Sequence, residues 1–248
     1  MNAIYILWLR QVKRHLRSKS RMIGSLGQPL MYLFAFGLGF GPIFARAGQG
    51  DYIQFLLPGI IGMNIIFASV FSGIEVIWDR QFGFLKETLV APVPRFNVML
   101  GRTLGSATMA MLQALVVLII ASISIFKINN IWNLPIVLLT MFLISVIFTS
   151  LGTMIGSILK DMQGFHLIVN FLIMPLFFLS GALFPLKNSN IIISGIGTIN
   201  PLSYGVDALR QLLSGIAHYG LFLDFGFLIT VTILFLGASG YFFSRIQA

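Results

Sequence analysis

Six apolar stretches decide what this chain can become, because hydrocarbon roughly 30 Å thick needs about 20 residues of helix to cross it. They run over residues 22–44, 54–78, 104–126, 134–158, 166–184 and 225–244. Lipid offers a backbone no hydrogen-bond partner, whereas a helix satisfies its own N–H and C=O groups, so each stretch is expected to be helical. Composition agrees: a mean hydropathy of +0.94 and 24 phenylalanines in 248 residues cannot be hidden in one water-soluble core of this size. The expected fold is an all-α integral membrane protein, a single transmembrane domain over 1–248. The chain has no cysteine, so disulfides, thiol catalysis and Cys-ligated metals are excluded.

Sixteen Lys and Arg outnumber seven Asp and Glu, a formal charge of +9. In a soluble domain that balance points to nucleic acid. In a membrane chain it marks cytoplasmic loops, where basic residues resist translocation and meet anionic lipid, so no nucleic-acid partner is expected. Arg10, Lys13, Arg14, Arg17, Lys19, Arg21, Arg80, Lys86, Arg95, Arg102, Lys160 and Arg245 fall on one side of six spans, and only Arg46, Lys127, Lys187 and Arg210 on the other. Both termini are therefore expected in the cytoplasm. Ala45-Arg46-Ala47 resembles a signal-peptide cleavage site, but the apolar run before it exceeds the roughly 7–15 residues of such signals, so the first span is expected to stay.

Over Met1 to Ser20, Ile4, Leu7, Trp8, Val12 and Leu16 share one helical face and Arg10, Lys13, Arg14, Arg17 and Arg21 another. Such a helix lies in the membrane interface with its basic side toward lipid phosphate. Two roles are open to it, topology anchor or partner contact.

The connection from Asp79 to Arg102 contains FLKETLVAPVPRF, residues 84–96. Phe84, Leu85, Thr88 and Leu89 recur at i, i+1, i+4, i+5 and form a small apolar ridge on a two-turn helix. Pro92 and Pro94 end it, since proline lacks an amide hydrogen and disfavours helical geometry in the residue before it. Lys86, Glu87 and Arg95 offer charges that would orient this short rod against a partner. The residues alone fit an ordinary interfacial loop helix equally well.

This loop after the second span, with NPLSYGVDALR (200–210) before the last, resembles the permease subunits of type-2 ATP-binding-cassette exporters. The resemblance covers essentially the whole chain and is nearest to the daunorubicin-type drug-resistance and polysaccharide or lipo-oligosaccharide branches. It implies a coupling helix at about Gly83–Ala91, seated by Leu85 and Leu89 in a cleft of a separate cytoplasmic ATPase, with Phe84, Lys86, Glu87, Thr88, Pro92, Pro94 and Arg95 completing the contact. It implies two copies of that ATPase, which would carry ATP and Mg, and a second copy of the permease. No cofactor is expected on this chain, which has no Gly-Lys pair and hence no phosphate-binding P-loop.

The outer connection, 185–224, is too long for an ordinary loop and too apolar for a disordered one. Asn200-Pro201 is a helix start, an N-cap followed by a first-turn proline. Leu202, Val206, Leu209 and Leu213 follow on one face, with Ser203, Asp207 and Arg210 on the other and the last two spaced for an i, i+3 ion pair. Such a helix is too short and too polar to span, so it is expected to dip back into the outer leaflet. The resemblance implies a pair of re-entrant helices here, the first around Asn188–Ile196, forming an outer gate with Asn200, Pro201, Tyr204, Asp207 and Arg210. A lid helix without a gating role is the alternative.

No acidic residue lies near the middle of a span, which leaves a proton- or sodium-driven secondary transporter little to work with. Glu75 is expected at the inner end of the second span, hydrated or paired with Arg80. With no H-E-x-x-H and no G-x-S-x-G, a membrane-embedded lipid-processing enzyme lacks a visible site, and the chain is not expected to be an enzyme. A structural scaffold remains a further class. Expected pathway lining is Asn64, Phe67, Phe71, Asn170, Met174 and Phe178, with Met63 and Phe171, suited to a hydrophobic or lipid-linked substrate. The glycine pairs at 37/41, 101/105 and 152/156 are set for close helix packing, within one subunit or across a dimer.

Overall fold

A computed structural model describes residues 3–46, 51–90, 92–185 and 191–246. Among the sequence expectations, Ala47, Ala91, Lys187 and Asn188 lie outside the described residues, as do the side chains of Lys19, Arg21 and Leu89. The described residues form α-helices and one 3-10 turn, with no strand.

Five segments have the length and apolarity to cross a membrane. They are α2 (Lys19–Arg46), the pair α3 (Tyr52–Phe71) and α4 (Ile74–Gln81), then α6 (Arg95–Ser124), α7 (Leu134–Ile158) and α11 (Leu221–Ser244). The rest are α1 (Ala3–Arg17), α5 (Phe84–Val90), α8 (Met162–Phe178), α9 (Ile191–Ile199) and α10 (Pro201–Ser214). Most of α3 and α7 is buried at the centre of the bundle, whereas α2 and α11 keep most of their length outward.

The fifth expected span is corrected. Helix α8 covers 17 residues instead of running to Phe184, and at about 1.5 Å per residue that is roughly 25 Å, short of the hydrocarbon thickness. The segment still runs from one end of the bundle to the other. Trp78 Nε1 donates to Met162 Sδ at its start (2.7 Å), and Tyr52, at the opposite end of α3–α4, donates through its hydroxyl to the Leu183 carbonyl (3.2 Å). The non-helical continuation is sheltered by protein: Ala182 is fully buried, and its carbonyl lies so close to Gly59 that a Cβ there would sit 2.1 Å away. Irregular backbone at membrane depth is tolerated only under such cover.

The second expected span is two helices, broken at Ser72–Gly73. A Cβ on Gly73 would lie 2.1 Å from the Gly152 carbonyl, one on Gly152 2.3 Å from the Val70 carbonyl, and one on Gly156 2.4 Å from the Gly73 carbonyl. Gly152 and Gly156 therefore seat α7 against the break, within the subunit. Gly101 and Gly105 seat α1 in the same way, with Ile4 and Leu7 over the first and Trp8 and Gln11 over the second. The apolar stripe of α1 thus packs partly on α6, while Tyr5, Ile6 and Leu16 stay exposed. Gly37 meets Ile53, and Gly41 faces open space.

Helix α10 starts as the residues dictate, with the Asn200 carbonyl oxygen of the side chain accepting from Leu202 N at 3.0 Å and Pro201 in the first turn. Its expected apolar face is buried, but so are Ser203, Asp207 and Arg210.

Candidate functional site

The start of α1, the end of α11 and the 79–102 connection gather at one end of the bundle, with Ile4 over Gly101 and Phe243 and Ile246 against Leu85. Helix α4 ends, the chain turns at Gly83 with φ +79°, a region that favours glycine, and α5 runs on as a seven-residue rod. Leu85 faces inward: it is fully buried with Val76, Val98, Met99, Phe243 and Ile246. This corrects the expectation that Leu85 seats the rod in a partner. The exposed apolar groups are Phe82 (69%), Phe84 (51%) and Val90 (84%), beside exposed Lys86, Glu87, Pro92 and Pro94. Thr88 bonds back to the Phe84 carbonyl at 3.0 Å. Arg95 is corrected too: its Nη1 donates to the carbonyls of Ser244 (2.6 Å) and Ile246 (3.2 Å), closing the end of α11. The rod is braced on its own chain's last helix.

Above the rod lies a buried polar cluster joining α1, α4 and α6. Arg102 Nη2 stands 2.7 Å from Asp79 Oδ2 and 3.3 Å from the Glu75 carbonyl. Gln11 donates to Glu75 and, at 3.1 Å, to the Ser106 hydroxyl. Arg14 lies 3.7 Å from Glu75 and 3.6 Å from Asp79, and His15 3.8 Å from Glu75. The expected Glu75–Arg80 pair does not form, because Arg80 donates to the Ser157 (2.8 Å) and Leu159 (3.1 Å) carbonyls at the end of α7. Buried charges persist only when paired and hydrogen-bonded in this way. The sequence carried one overlooked signal: Gln11, four residues from Leu7 and three from Trp8, interrupts the apolar stripe of α1.

A cavity of about 450 Å³ opens beside this cluster, between α2, α3, α6 and α8. Met63, Phe67, Phe71 and Met109 form an apolar wall, and Gln28, Asn64, Ser72, Ser106 and Gln113 supply polar groups. Of the expected pathway residues, Asn64, Phe67 and Phe71 meet here. Asn170, Phe171, Met174 and Phe178 do not; they face outward from α8, whose inward side is Phe165, Val169, Ile173 and Phe177. Gln113 and His166 are lining residues that the sequence reading did not pick out. His166 lies against Phe71, ring centroids 5.5 Å apart.

At the opposite end, the Asp207–Arg210 pair is replaced by two separate anchors. Asp207 accepts from the backbone N–H groups of His218 (3.0 Å) and Tyr219 (2.7 Å). Arg210 donates to the Phe55 (3.3 Å) and Gly181 (2.9 Å) carbonyls, with its guanidinium 3.9 Å over the Phe55 ring. Burial pulls the Arg210 pKa down to about 10, against the opposing pull of Asp207, so it stays charged at neutral pH. Tyr204 stacks on Phe227 (4.1 Å) and Tyr219 (4.8 Å) and donates to the Thr198 carbonyl. Asn200 Nδ2 reaches the Leu176 carbonyl at 2.6 Å. Together these tie α8, α9, α10 and the start of α11 into one plug.

The described residues thus form a helical bundle with a braced rod at one end, a plug at the other and an amphipathic cavity between them. The chain belongs to the ABC-2 type transporter family, whose family model matches residues 2–214. It is similar to "Nodulation protein J" of Rhizobium leguminosarum bv. trifolii, 26% identical over 215 residues, covering 85% of this chain and 78% of that one. It is also similar to "Putative transport permease ycf38" of Cyanophora paradoxa, 26% identical over 214 residues, covering 85% of this chain and 74% of that one. "Inner membrane transport permease YadH" of Escherichia coli (strain K12) is 25% identical over 239 residues, covering 94% of this chain and 91% of that one.

Proposed function

We propose that the chain is the membrane-spanning permease of an ATP-driven exporter in the cytoplasmic (inner) membrane, with both termini in the cytoplasm. It works as a dimer, on two copies of a separate ATPase that bind ATP and Mg, and moves a hydrophobic, lipid-linked, glycan or drug substrate. One observation carries this reading beyond family membership: the rod 84–90 is built in two halves. Leu85 and Arg95 hold it to the permease, while Phe84, Lys86, Glu87 and Val90 face away, free to meet a partner. A partner's motion at α5 then reaches α11 through Phe243 and Ile246, and α6 through Val98 and Met99. The plug is the outer gate, held shut by Asn200, Asp207 and Arg210.

The test is to reconstitute permease and ATPase and compare wild type with a Phe84→Asp/Val90→Asp double variant. The double variant should insert normally, lose ATPase association and lose export. Undiminished export would refute the assignment of α5.

A further inference from the structure

We infer that Asp224 binds a proton while the outer plug is shut and gives it up to the outside water when the plug opens, so that opening is coupled to external pH. The release step rests on the reading of the plug as the outer gate. The bound proton belongs to the closed structure alone.

The chain has five aspartates, and four of them have their carboxylates answered. Asp51 accepts from Ile53 N, Asp161 from Gly164 N, and Asp207 from His218 and Tyr219 N. Asp79 meets Arg102 at 2.7 Å. Asp224 is the exception. It closes the outer connection in the first turn of α11, is fully buried, and both of its side-chain oxygens are enclosed without a hydrogen-bond partner among the described residues. From α10 it faces Tyr204, whose hydroxyl donates to the Thr198 carbonyl instead, and Asp207, a charge of its own sign. From the 215–220 connection it faces Tyr219, with exposed His218 beside that ring. Helix α7, and α6 beyond Arg102, carry no charged residue. Arg210 is committed to the Phe55 and Gly181 carbonyls, and Lys127, on the 125–130 connection, is exposed. An ionised carboxylate is so costly to bury without a partner that the group takes up a proton instead. Asp224 is therefore seated as the neutral acid.

The plug supplies its cover. The Tyr204 ring stacks at 4.1 Å on Phe227, less than one turn further along α11, and at 4.8 Å on Tyr219, just before that helix. Lifting α10 from α11 removes this cover and admits water, in which an aspartic acid ionises with its ordinary pKa of about 3.9. The O–H bond breaks, its electron pair stays on the carboxylate and the proton passes to the outside. One proton released per opening raises the open fraction about tenfold for each pH unit, as long as the closed form keeps its proton.

Infrared spectra of the permease in lipid at pH 6 should show a protonated-carboxyl C=O stretch that Asp224→Asn, a neutral group of the same shape, or Asp224→Leu removes. Wild type alone also decides the point: with carbonyl-13C aspartate incorporated the band must shift, because the other four aspartates are paired or hydrogen-bonded as carboxylates. Absence of the band, or a band that ignores the label, overturns the inference. For the release step, the chain has no cysteine, so Ser203→Cys is its sole thiol. Ser203 is 3% exposed on α10, and its hydroxyl has no hydrogen bond to lose. Proteoliposomes enclose the ATPase and ATP at pH 7, and a membrane-impermeant thiol reagent is added outside at pH 5 or pH 6. Dividing each labelling rate by that of the same cysteine in Asp224→Asn or Asp224→Leu cancels the titration of the thiol and of His218. The ratio should rise about tenfold from pH 5 to pH 6. An unchanged ratio overturns the inference even with the band present. A thiol that ATP exposes at neither pH removes the outer-gate reading, and with the band present it leaves the bound proton standing.

Discussion

Replacing Leu85 by Ala separates the two ways of seating α5. The side chain is fully buried against Val76, Val98, Met99, Phe243 and Ile246. Truncation to Ala removes three carbons, worth about 0.8 kcal/mol each when buried, or roughly 2.4 kcal/mol. A residual cavity raises such losses to about 2–5 kcal/mol. The cluster is small and stands at the end of the bundle, where neighbours can relax, so the lower half of that range is expected. For a chain of this size, about 2–3 kcal/mol corresponds to a Tm drop of roughly 4–12 °C. Thermal unfolding of the detergent-purified permease, followed by circular dichroism, measures it. Phe84→Ala, at a half-exposed position, should leave Tm within about 2 °C of wild type and weaken ATPase association in a pull-down. If Leu85→Ala melted like wild type while losing the ATPase, the inward assignment of Leu85 would be wrong, and the outward ridge read from the sequence would be right.

Arg102→Met should strand Asp79, 6% exposed, with only the half-solvated Arg14 at 3.6 Å, lowering stability by about 2–4 kcal/mol in the same melt. Arg95→Ala should free the carbonyls of Ser244 and Ile246, seen as faster amide exchange over 243–246 with little change in Tm. Asp207→Ala removes the acceptor of the His218 and Tyr219 amides, so limited proteolysis should cut near 215–220 in the variant and not in wild type. Gly152→Leu puts a side chain where even a Cβ would stand 2.3 Å from the Val70 carbonyl; folded protein in the membrane fraction should fall severalfold, whereas Gly41→Leu, facing open space, should accumulate normally.

What the residues disclosed in advance depended on how local the cause was. Asn200 and Pro201 start α10 through contacts two residues away, so that boundary was visible. The membrane class followed from apolar length alone. The break at Ser72–Gly73 was hidden, since the backbone it packs on, at Gly152, is far off in sequence on α7. Asp207 and Arg210 had pairing distance along the helix, yet their partners come from Phe55, Gly181, His218 and Tyr219, which only the folded chain brings near. In the rod, periodicity put Phe84, Leu85, Thr88 and Leu89 on one ridge, but could not tell that the chain's own last helix takes Leu85 and leaves Phe84 exposed. Asn64, Phe67 and Phe71 were found together in the cavity, whereas Asn170, Met174 and Phe178 belong to the other side of α8.

The glycine joint between α3 and α4 has a mechanical result. Carbonyl groups of Val70, Gly73 and Gly152 rest directly on neighbouring main chain, with no rotatable side chain between them to soak up displacement. A tilt imposed at the foot of α4 is therefore handed to α7 stiffly, as between meshed cogs, and a single methyl inserted at that seam would jam the gearing.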